Sequence, residues 1–354
     1  MMGKKGLRSA VLYAAAAALA LCVYPENELS VQVSSAQADT ARVLLPGGQA
    51  VGVALKTQGV LVISRMSRQE IKTPLRVGDV ILRVQGHEVL SAQELARQIH
   101  ETNADSVELS VLRAGREISL KAAAPVSSQD GRRRLGVWVR DSTAGVGTLS
   151  YIDPKTRAYG ALGHAIVDGD TGDMLSVKDG AILEADVIGV SKGEIGRAGE
   201  LKGSFLKEGR QIGTLCLNSV YGIYGTMEKP PAAQLYPNGL PVGEREQVHE
   251  GAASIISTVD GQGPREYAVE ILRCFDQVKA SQKGMILRVT DEALLEKTGG
   301  IVQGMSGSPI LQDGRIIGAL THVYLNDPTQ GYGMYIEWML ERSDALGLQA
   351  DDAA

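Results

Sequence analysis

Short apolar runs separated by glycine-bearing turns recur from residue 135 onward in this 354-residue chain and limit the folds that it can adopt. Runs this short suit strands, because a buried strand needs about 4–8 residues and a helix about ten or more. The 42 glycines, against two Phe and two Trp, favour tight turns and aliphatic strands over an aromatic core. The pattern therefore predicts a mainly β domain, a barrel or sandwich, over residues 135–354. The runs lie at 135–139, 187–190, 211–217, 284–289 and 316–320.

Charge and cysteine content exclude several classes of protein. The chain has 36 Lys and Arg against 41 Asp and Glu, a net charge of −5, which argues against a disordered chain and a polybasic nucleic-acid binder. The arginines of the polar segment 126–134 are interpreted as part of a solvated linker, so no nucleic acid is expected as a partner. Three cysteines are too few for a disulfide framework and show no zinc spacing, although Cys216 and Cys274 could pair.

The first 38 residues have the pattern of an export signal. Three basic residues within the first eight precede an apolar run from Ala10 to Val23, shorter than the roughly 20 residues of a full membrane span. A small-residue cleavage site follows at Ala36-Gln37-Ala38. We expect residues 1–38 to be a signal peptide or a membrane anchor, and the rest of the protein to be exported.

Residues 39–125 contain two strands, one helix and a hairpin in a compact order. Ser91 followed by Glu94 is typical of a helix start, and Leu95 and Ile99 share one face of that helix. The motif Gly78-Asp79-Val80-Ile81-Leu82 with Gly86 precedes it. Together these elements resemble a PDZ domain over nearly its whole length.

The PDZ resemblance implies peptide binding by addition of a strand to a sheet edge, with backbone amides holding a terminal carboxylate. By position, Gly52 and Val53 would belong to the glycine-rich loop that holds the carboxylate, and Leu95 and Ile99 would line the groove. The alternative is that the glycines only form a turn and that the two helix residues pack in the core.

A glycine-flanked serine, in Gly304-Met305-Ser306-Gly307-Ser308-Pro309, has the layout of a nucleophile. A tight turn exposes the hydroxyl, and small neighbours let successive N–H groups point at one spot as an oxyanion hole. Such a serine needs a base. Among the five histidines, His164 lies among small residues at a strand end and His322 follows a strand soon after the serine, so both are candidates.

A longer pattern resembles a known peptidase family. Gly163-His164-Ala165-Ile166, Thr290-Asp291, the stretch 298–309 and Gly318 to Val323, behind a PDZ domain and a leader, are similar to the stage IV sporulation protein B family of endospore-forming bacteria. The resemblance covers everything after the leader. It implies a PDZ domain over 39–125, a linker over 126–134 and a chymotrypsin-like double β-barrel serine peptidase domain over 135–354.

The same resemblance implies a role for each site residue. Ser306 would be the nucleophile, His164 the general base and Asp291 the acid, and the amides of Gly304 and Ser306 would form the oxyanion hole. No metal or cofactor is implied, because Ser, His, Asp and water suffice.

The acid is the open member of this set. Asp291 lies much closer before the serine in the chain than the acid of chymotrypsin does, which leaves Asp168, Asp170 and Asp173 as rivals. Met305 stands where chymotrypsin has an aspartate that pairs with a new N-terminal amine, so that route of activation is not expected.

The family resemblance implies an exported endopeptidase that acts between the two forespore membranes. It would cleave itself and the regulatory subunit that restrains an intramembrane metalloprotease, and so trigger pro-sigma-K processing, while its PDZ domain binds peptide segments. The alternatives are a catalytically silent PDZ scaffold and an HtrA-like quality-control protease.

Overall fold

The computed structural model describes residues 42–66, 71–128, 130–204, 210–231 and 233–347. The predicted leader over 1–38 lies outside these ranges. Within them, no helix combines the length and the hydropathy needed to cross a membrane.

The described chain is mainly β, which confirms the predicted class. Its helices are α1 (Ala92–Glu101), α2 (Glu292–Thr298) and α3 (Ile336–Ala345), with a 3-10 turn at Arg245–Gln247. The strands are β1 Val43–Pro46, β2 Ala50–Arg65, β3 Val80–Val84, β4 His87–Glu88, β5 Ser106–Arg113, β6 Arg116–Ala123, β7 Val137–Ile152, β8 Ala158–Ala161, β9 Val177–Glu184, β10 Asp186–Ser191, β11 Glu200–Ser204, β12 Gln211–Thr214, β13 Leu217–Ser219, β14 Gly222–Thr226, β15 Leu240–Pro241, β16 Gly251–Ser257, β17 Arg265–Cys274, β18 Met285–Val289, β19 Pro309–Gln312, β20 Arg315–Val323 and β21 Gln330–Tyr335.

The last third of the chain forms a closed barrel in the order β16-β17-β18-β21-β20-β19. All of its strands come from one contiguous stretch, and all neighbours are antiparallel. Its interior is filled by fully buried aliphatic side chains such as Leu287, Ile310 and Met334. We refer to this unit as the serine barrel, because the Ser306 stretch enters β19.

The first half of the predicted peptidase domain, which comprises the later part of β7 with β8, β9 and β12–β14, shares one branched sheet with the predicted PDZ module. Strands β2 and β7 are common to both. The early part of β2 pairs with β7 and β9, as Val53 does with Gly145 and Ile182. Its later part pairs with β3 and the beginning of β7, as Leu61 does with Val80 and Arg140. Strands of 16 residues are long enough to run through both units.

The PDZ module consists of α1 on the sheet β7-β2-β3-β5-β6. Ser91 caps α1 by accepting a hydrogen bond of 3.1 Å from the Glu94 amide, as its position predicts. The module's apolar core extends from Val60 to Leu135 and Val137.

The module boundaries therefore differ from the predicted 39–125. Residues 43–57 pair with strands of the peptidase, and the chain leaves the PDZ core only near residue 140, because the strand that completes the PDZ sheet follows the polar segment. That polar segment, the predicted linker, folds back on the module: Arg133 donates to Asp105 and to the Ala124 carbonyl.

Strands β10 and β11 form a separate two-stranded sheet. We call residues 186–204 the strap hairpin. It lies in sequence between β9 and β12 of the first half, yet its buried Val187 and Leu201 pack in the core cluster of the serine barrel.

Candidate active site

Ser306, His164 and His322 line one cleft of about 910 Å³. One wall is the middle of β7, at residues 143–147, and the other is formed by residues 321–323 of β20. The strap hairpin closes the side of the cleft at residues 198 and 200–203. The fold thus unites the serine with both histidines that the sequence singles out.

Glycines shape the turn that presents Ser306. Gly304 and Gly307 have φ values of +94° and +98°, which favour glycine. A Cβ on Gly307 would lie 2.2 Å from the carbonyl oxygen of Thr148, so only glycine fits there. The Ser306 hydroxyl donates a 2.7 Å hydrogen bond to the Thr321 carbonyl. Rotation about Cα–Cβ must free the hydroxyl before it can attack, a rearrangement common in ligand-free sites.

In the serine turn, residues 303–308, four backbone amides are paired and two are not. The paired amides donate to carbonyl oxygens: Gln303 N to Gly199 O at 2.8 Å, Met305 N to Val302 O at 3.1 Å, Gly307 N to Leu320 O at 2.7 Å, and Ser308 N to Met305 O at 3.0 Å. The amides of Gly304 and Ser306 have no partner within the described chain. Two unpaired donors beside a serine can hold a developing oxyanion, and they are the two amides that the family resemblance implies.

Thr148 on β7 holds this turn in place. Its hydroxyl donates to the Gly304 carbonyl at 2.6 Å and its amide to the Ser306 carbonyl at 3.2 Å. The residue is fully buried. Sequence reasoning missed it, because Thr143 and Ser150 on the same strand look no different in sequence.

The backbone sets the tautomer of His164. Its Nδ1 lies 2.9 Å from the carbonyl oxygen of Ala165. A carbonyl oxygen only accepts, so Nδ1 carries the proton and Nε2 keeps its lone pair. This is the tautomer that a general base needs, and in a Ser-His-Asp triad the aspartate maintains it.

Asn218 on β13 anchors the segment after His164. Its side chain accepts from the Ile166 amide and donates to the carbonyls of Ile166 and Leu175, each at 2.8 Å. The side chain is buried, so these bonds have little competition from water. Nothing local in the sequence marks Asn218, because its partners lie more than forty residues away.

His322 stands beside His164, with ring centroids 5.6 Å apart and planes tilted by 43°. Partial desolvation at the edge of the cleft lowers the pKa of His322 below its usual value, and the nearby His164 and Lys283 lower it further, which favours the neutral ring.

The structure does not place Asp291 at this site. Its carboxylate caps α2, accepting a 2.9 Å hydrogen bond from the Leu294 amide, and it does not line the cleft. Ile286 of β18 pairs with Tyr332 of β21, and Tyr332 pairs with His322 of β20, so Ile286 and His322 lie at the same height in the barrel. Asp291 comes five residues later, roughly 15 Å further along the barrel at about 3.3 Å per residue. The expectation that Asp291 contacts His164 therefore does not hold in this geometry.

The rival acids are occupied elsewhere. Burial alone would raise the pKa of Asp168, but hydrogen bonds from the Thr171 and Asp170 amides and from Arg140 lower it overall. Arg140 also pairs with Asp170 at 2.8 Å. Asp173 lies against Gly78 of the PDZ module. These residues form an acidic turn, and among the described contacts no carboxylate hydrogen-bonds to His164.

The structure also corrects the predicted PDZ groove. Gly52 and Val53 lie inside β2, paired on both sides, so they form no carboxylate-binding loop. Leu95 and Ile99 are 4% and 3% exposed and belong to the core, which matches the alternative interpretation. The outer side of β7 at residues 137–140 is one of the two edges of the PDZ sheet that no described strand covers, the other being β6.

No group of three or more His, Cys, Asp or Glu residues that could hold a metal ion occurs in the described ranges. Cys216 and Cys274 are both free thiols.

Comparison with known proteins gives one family match. The family described as SpoIVB peptidase S55 matches residues 131–340, more than half of the chain. Among curated proteins no match is found.

Several solved structures are similar to parts of the chain. A PDZ domain of an SdrC-like protein from Listeria monocytogenes is 20% identical over 23% of this chain and 87% of its own, with a TM-score of 0.21. The active form of a protease from M. tuberculosis is 13% identical over 59% of this chain and 77% of its own, with a TM-score of 0.34. The HtrA-type protease AlgW is 11% identical over 57% of this chain and 56% of its own, with a TM-score of 0.33.

Proposed function

The chain belongs to the SpoIVB peptidase S55 family, and we propose that it is a serine endopeptidase in which Ser306 attacks and His164 is the base. One observation carries this assignment: the unpaired amides of Gly304 and Ser306 stand beside the serine while the neighbouring amides are paired. An oxyanion hole of this kind contributes about 10²–10³-fold in rate per donor.

The proposed chemistry uses residues already in the cleft. Once its hydroxyl leaves the Thr321 carbonyl, Ser306 transfers its proton to Nε2 of His164 and attacks the scissile carbonyl carbon. The Gly304 and Ser306 amides receive the oxygen that becomes negative. The Ala165 carbonyl keeps Nδ1 protonated, so in this proposal it performs the orienting task of the missing carboxylate.

Labelling with a fluorophosphonate probe tests the nucleophile and the base together. The wild-type chain should react, and Ser306→Ala and His164→Ala should not, with unchanged circular dichroism in all three. A folded wild type that does not react would favour the alternative of a catalytically silent scaffold.

We further propose self-cleavage, export and a role in sporulation, each supported by the family resemblance. Purified wild type should shorten with time while Ser306→Ala stays intact. In a spore-forming host, Ser306→Ala should fail to support cleavage of the metalloprotease regulator and pro-sigma-K processing. Normal pro-sigma-K processing by Ser306→Ala would contradict the sporulation role and favour an HtrA-like quality-control protease.

The PDZ module is proposed to bind an extended peptide at residues 137–140 of β7. The Gly136 carbonyl accepts a hydrogen bond from the Met66 amide, so the backbone groups of Gly136 face β2. Because successive residues of a strand direct their backbone groups to opposite sides, those of Trp138 also face β2 and those of Val139 face outward. The Val139 amide is therefore available to an added strand. With Ser306→Ala as the background, Val139→Pro should abolish capture of peptides bearing free C-terminal carboxylates. Retained capture would place the peptide site elsewhere.

A further inference from the structure

The strap hairpin, residues 186–204, is hydrogen-bonded to the serine turn at one residue, Gln303. The Gln303 amide donates to the Gly199 carbonyl, and the Leu201 amide donates to the Gln303 carbonyl, both at 2.8 Å. Glu200 and Gln303 thus form a parallel β-bridge between the hairpin and the turn that leads to Ser306.

This bridge decides where the Gly304 amide points. The Gln303–Gly304 peptide bond is trans, so the carbonyl of Gln303 and the N–H of Gly304 point in opposite directions. With the Gln303 carbonyl directed at the hairpin, the Gly304 N–H is directed away from it. That N–H is one of the two unpaired donors beside Ser306.

Packing holds the hairpin against the turn. A Cβ on Gly304 would lie 3.0 Å from that of Leu201, and a Cβ on Gly199 would lie 2.6 Å from Cγ1 of Val302, just before the turn. Further bonds run from the Gly193 amide to the Thr298 carbonyl at 2.9 Å and from the Gly196 amide to the Leu325 carbonyl at 2.8 Å. The hairpin is therefore docked along its whole length.

Chymotrypsin-like activation through a buried ion pair has no counterpart here. Met305, next to the oxyanion glycine, is fully buried in an apolar cluster with Val302 and Leu201. No charge stands at this position to be paired, so another contact must orient the turn.

We infer that the strap hairpin is the element that positions the oxyanion hole, with Gly199 and Leu201 as positioning residues for catalysis by Ser306. The inference rests on the proposed peptidase function. It makes catalysis by the serine barrel depend on a segment that lies in the first half of the peptidase domain, between β9 and β12.

Two glycines of the same hairpin offer a matched test. A Cβ on Gly199 would lie 2.4 Å from the hairpin's own Ser191 carbonyl oxygen and 2.6 Å from Val302, so Gly199→Ala must displace the backbone at the bridge. A Cβ on Gly189, by contrast, meets nothing within 4 Å. With fluorescein-labelled casein as substrate, we expect Gly199→Ala to lower kcat by about 10²–10³-fold, the effect of losing one oxyanion donor, while KM changes less than about threefold. Gly189→Ala should keep wild-type kinetics.

A second variant removes one hydrogen bond and leaves an apolar side chain. Leu201→Pro deletes the amide that bonds to Gln303, and it should lower kcat in the same way with KM preserved. Melting temperatures close to that of wild type show that the variants are folded.

The outcomes separate this inference from the function on which it rests. Wild-type kcat in Gly199→Ala and Leu201→Pro, or equal losses in Gly199→Ala and Gly189→Ala, would overturn the positioning role alone. A folded wild type with neither casein hydrolysis nor fluorophosphonate labelling would overturn the peptidase and the positioning role together.

Discussion

The nucleophile and the base stand on two halves that are built differently. Ser306 enters a closed barrel made from one contiguous stretch of chain. His164 follows β8, in a branched sheet that is continuous with the PDZ module through β2 and β7. A closed barrel has no free edge to yield, whereas a shared sheet passes displacements from one unit to the other. We therefore expect the serine barrel to be the more rigid part of the site, and the sheet that carries His164 to be the part whose position can shift.

The largest effect on the histidine side should come from Asn218→Ala. The substitution leaves the Ile166 amide and the Leu175 carbonyl without a partner, while the Ile166 carbonyl keeps its bond from the Leu175 amide; we expect a cost of about 3 kcal/mol of unfolding free energy. Displacement of His164 by about 1 Å should also lower kcat about 10²-fold. Urea denaturation and casein hydrolysis measure the two effects. Asn326→Ala, in an exposed turn, is the control, and equal losses in both variants would refute the anchoring role.

Thr148→Val tests the link between the two halves. Valine keeps the shape of threonine but removes the donor to the Gly304 carbonyl, a loss of about 1–3 kcal/mol or about 10–100-fold in kcat. Thr148→Ser restores the hydroxyl and should recover most of the rate. If valine and serine at this position gave the same kcat, the hydroxyl would have no part in holding the turn.

We expect His322 to make kcat/KM fall more steeply as the pH is lowered. Partial desolvation, His164 and Lys283 lower the pKa of His322, so its charged form is disfavoured in the folded protein. Above the ordinary pKa of about 6.5 the ring is neutral in both the folded and the unfolded chain, and His322 does not affect the unfolding free energy. As the pH falls below that value, the unfolded chain binds the proton more readily and the folded state is destabilised. Once protonated, His322 also opposes the positive charge that His164 acquires as a base.

The measurement is kcat/KM between pH 5 and 8 for wild type, His322→Gln and Lys283→Gln. His322→Gln should stay within about threefold of wild type at pH 8 and lose activity less steeply on acidification. Lys283→Gln removes a positive charge, so the loss should begin at a higher pH. Parallel profiles for all three proteins would exclude electrostatic coupling between the two rings.

Asp291 should show the smallest effects. Asparagine caps helices as well as aspartate does, so Asp291→Asn should leave stability within a few tenths of a kcal/mol, and Asp291→Ala should cost about 1 kcal/mol. Neither variant should lower kcat more than about threefold. A loss of several orders of magnitude in Asp291→Asn, with stability unchanged, would restore Asp291 as the catalytic acid.

Features that depend on a few neighbouring residues could be predicted from the sequence. The Ser91 cap, the mainly β class and the turn that exposes Ser306 follow from local chemistry, because glycine tolerates positive φ and short aliphatic runs favour strands. The specific pair of amides, Gly304 and Ser306, is implied by the family resemblance and not by these local rules, because the Gly304 amide also depends on the bridge between Gln303 and the strap hairpin.

Features that depend on pairing between distant segments could be decided only by the tertiary structure. Gly52 and Val53 look like a loop in sequence but lie near the start of β2, because β7 and β9 supply partners from more than ninety residues away. Asp291 is close to Ser306 in sequence but far from His164, because β18 carries it to another end of the barrel. Asn218, Thr148 and the strap hairpin have no local signature, because each acts through hydrogen bonds that exist only once the two halves have met.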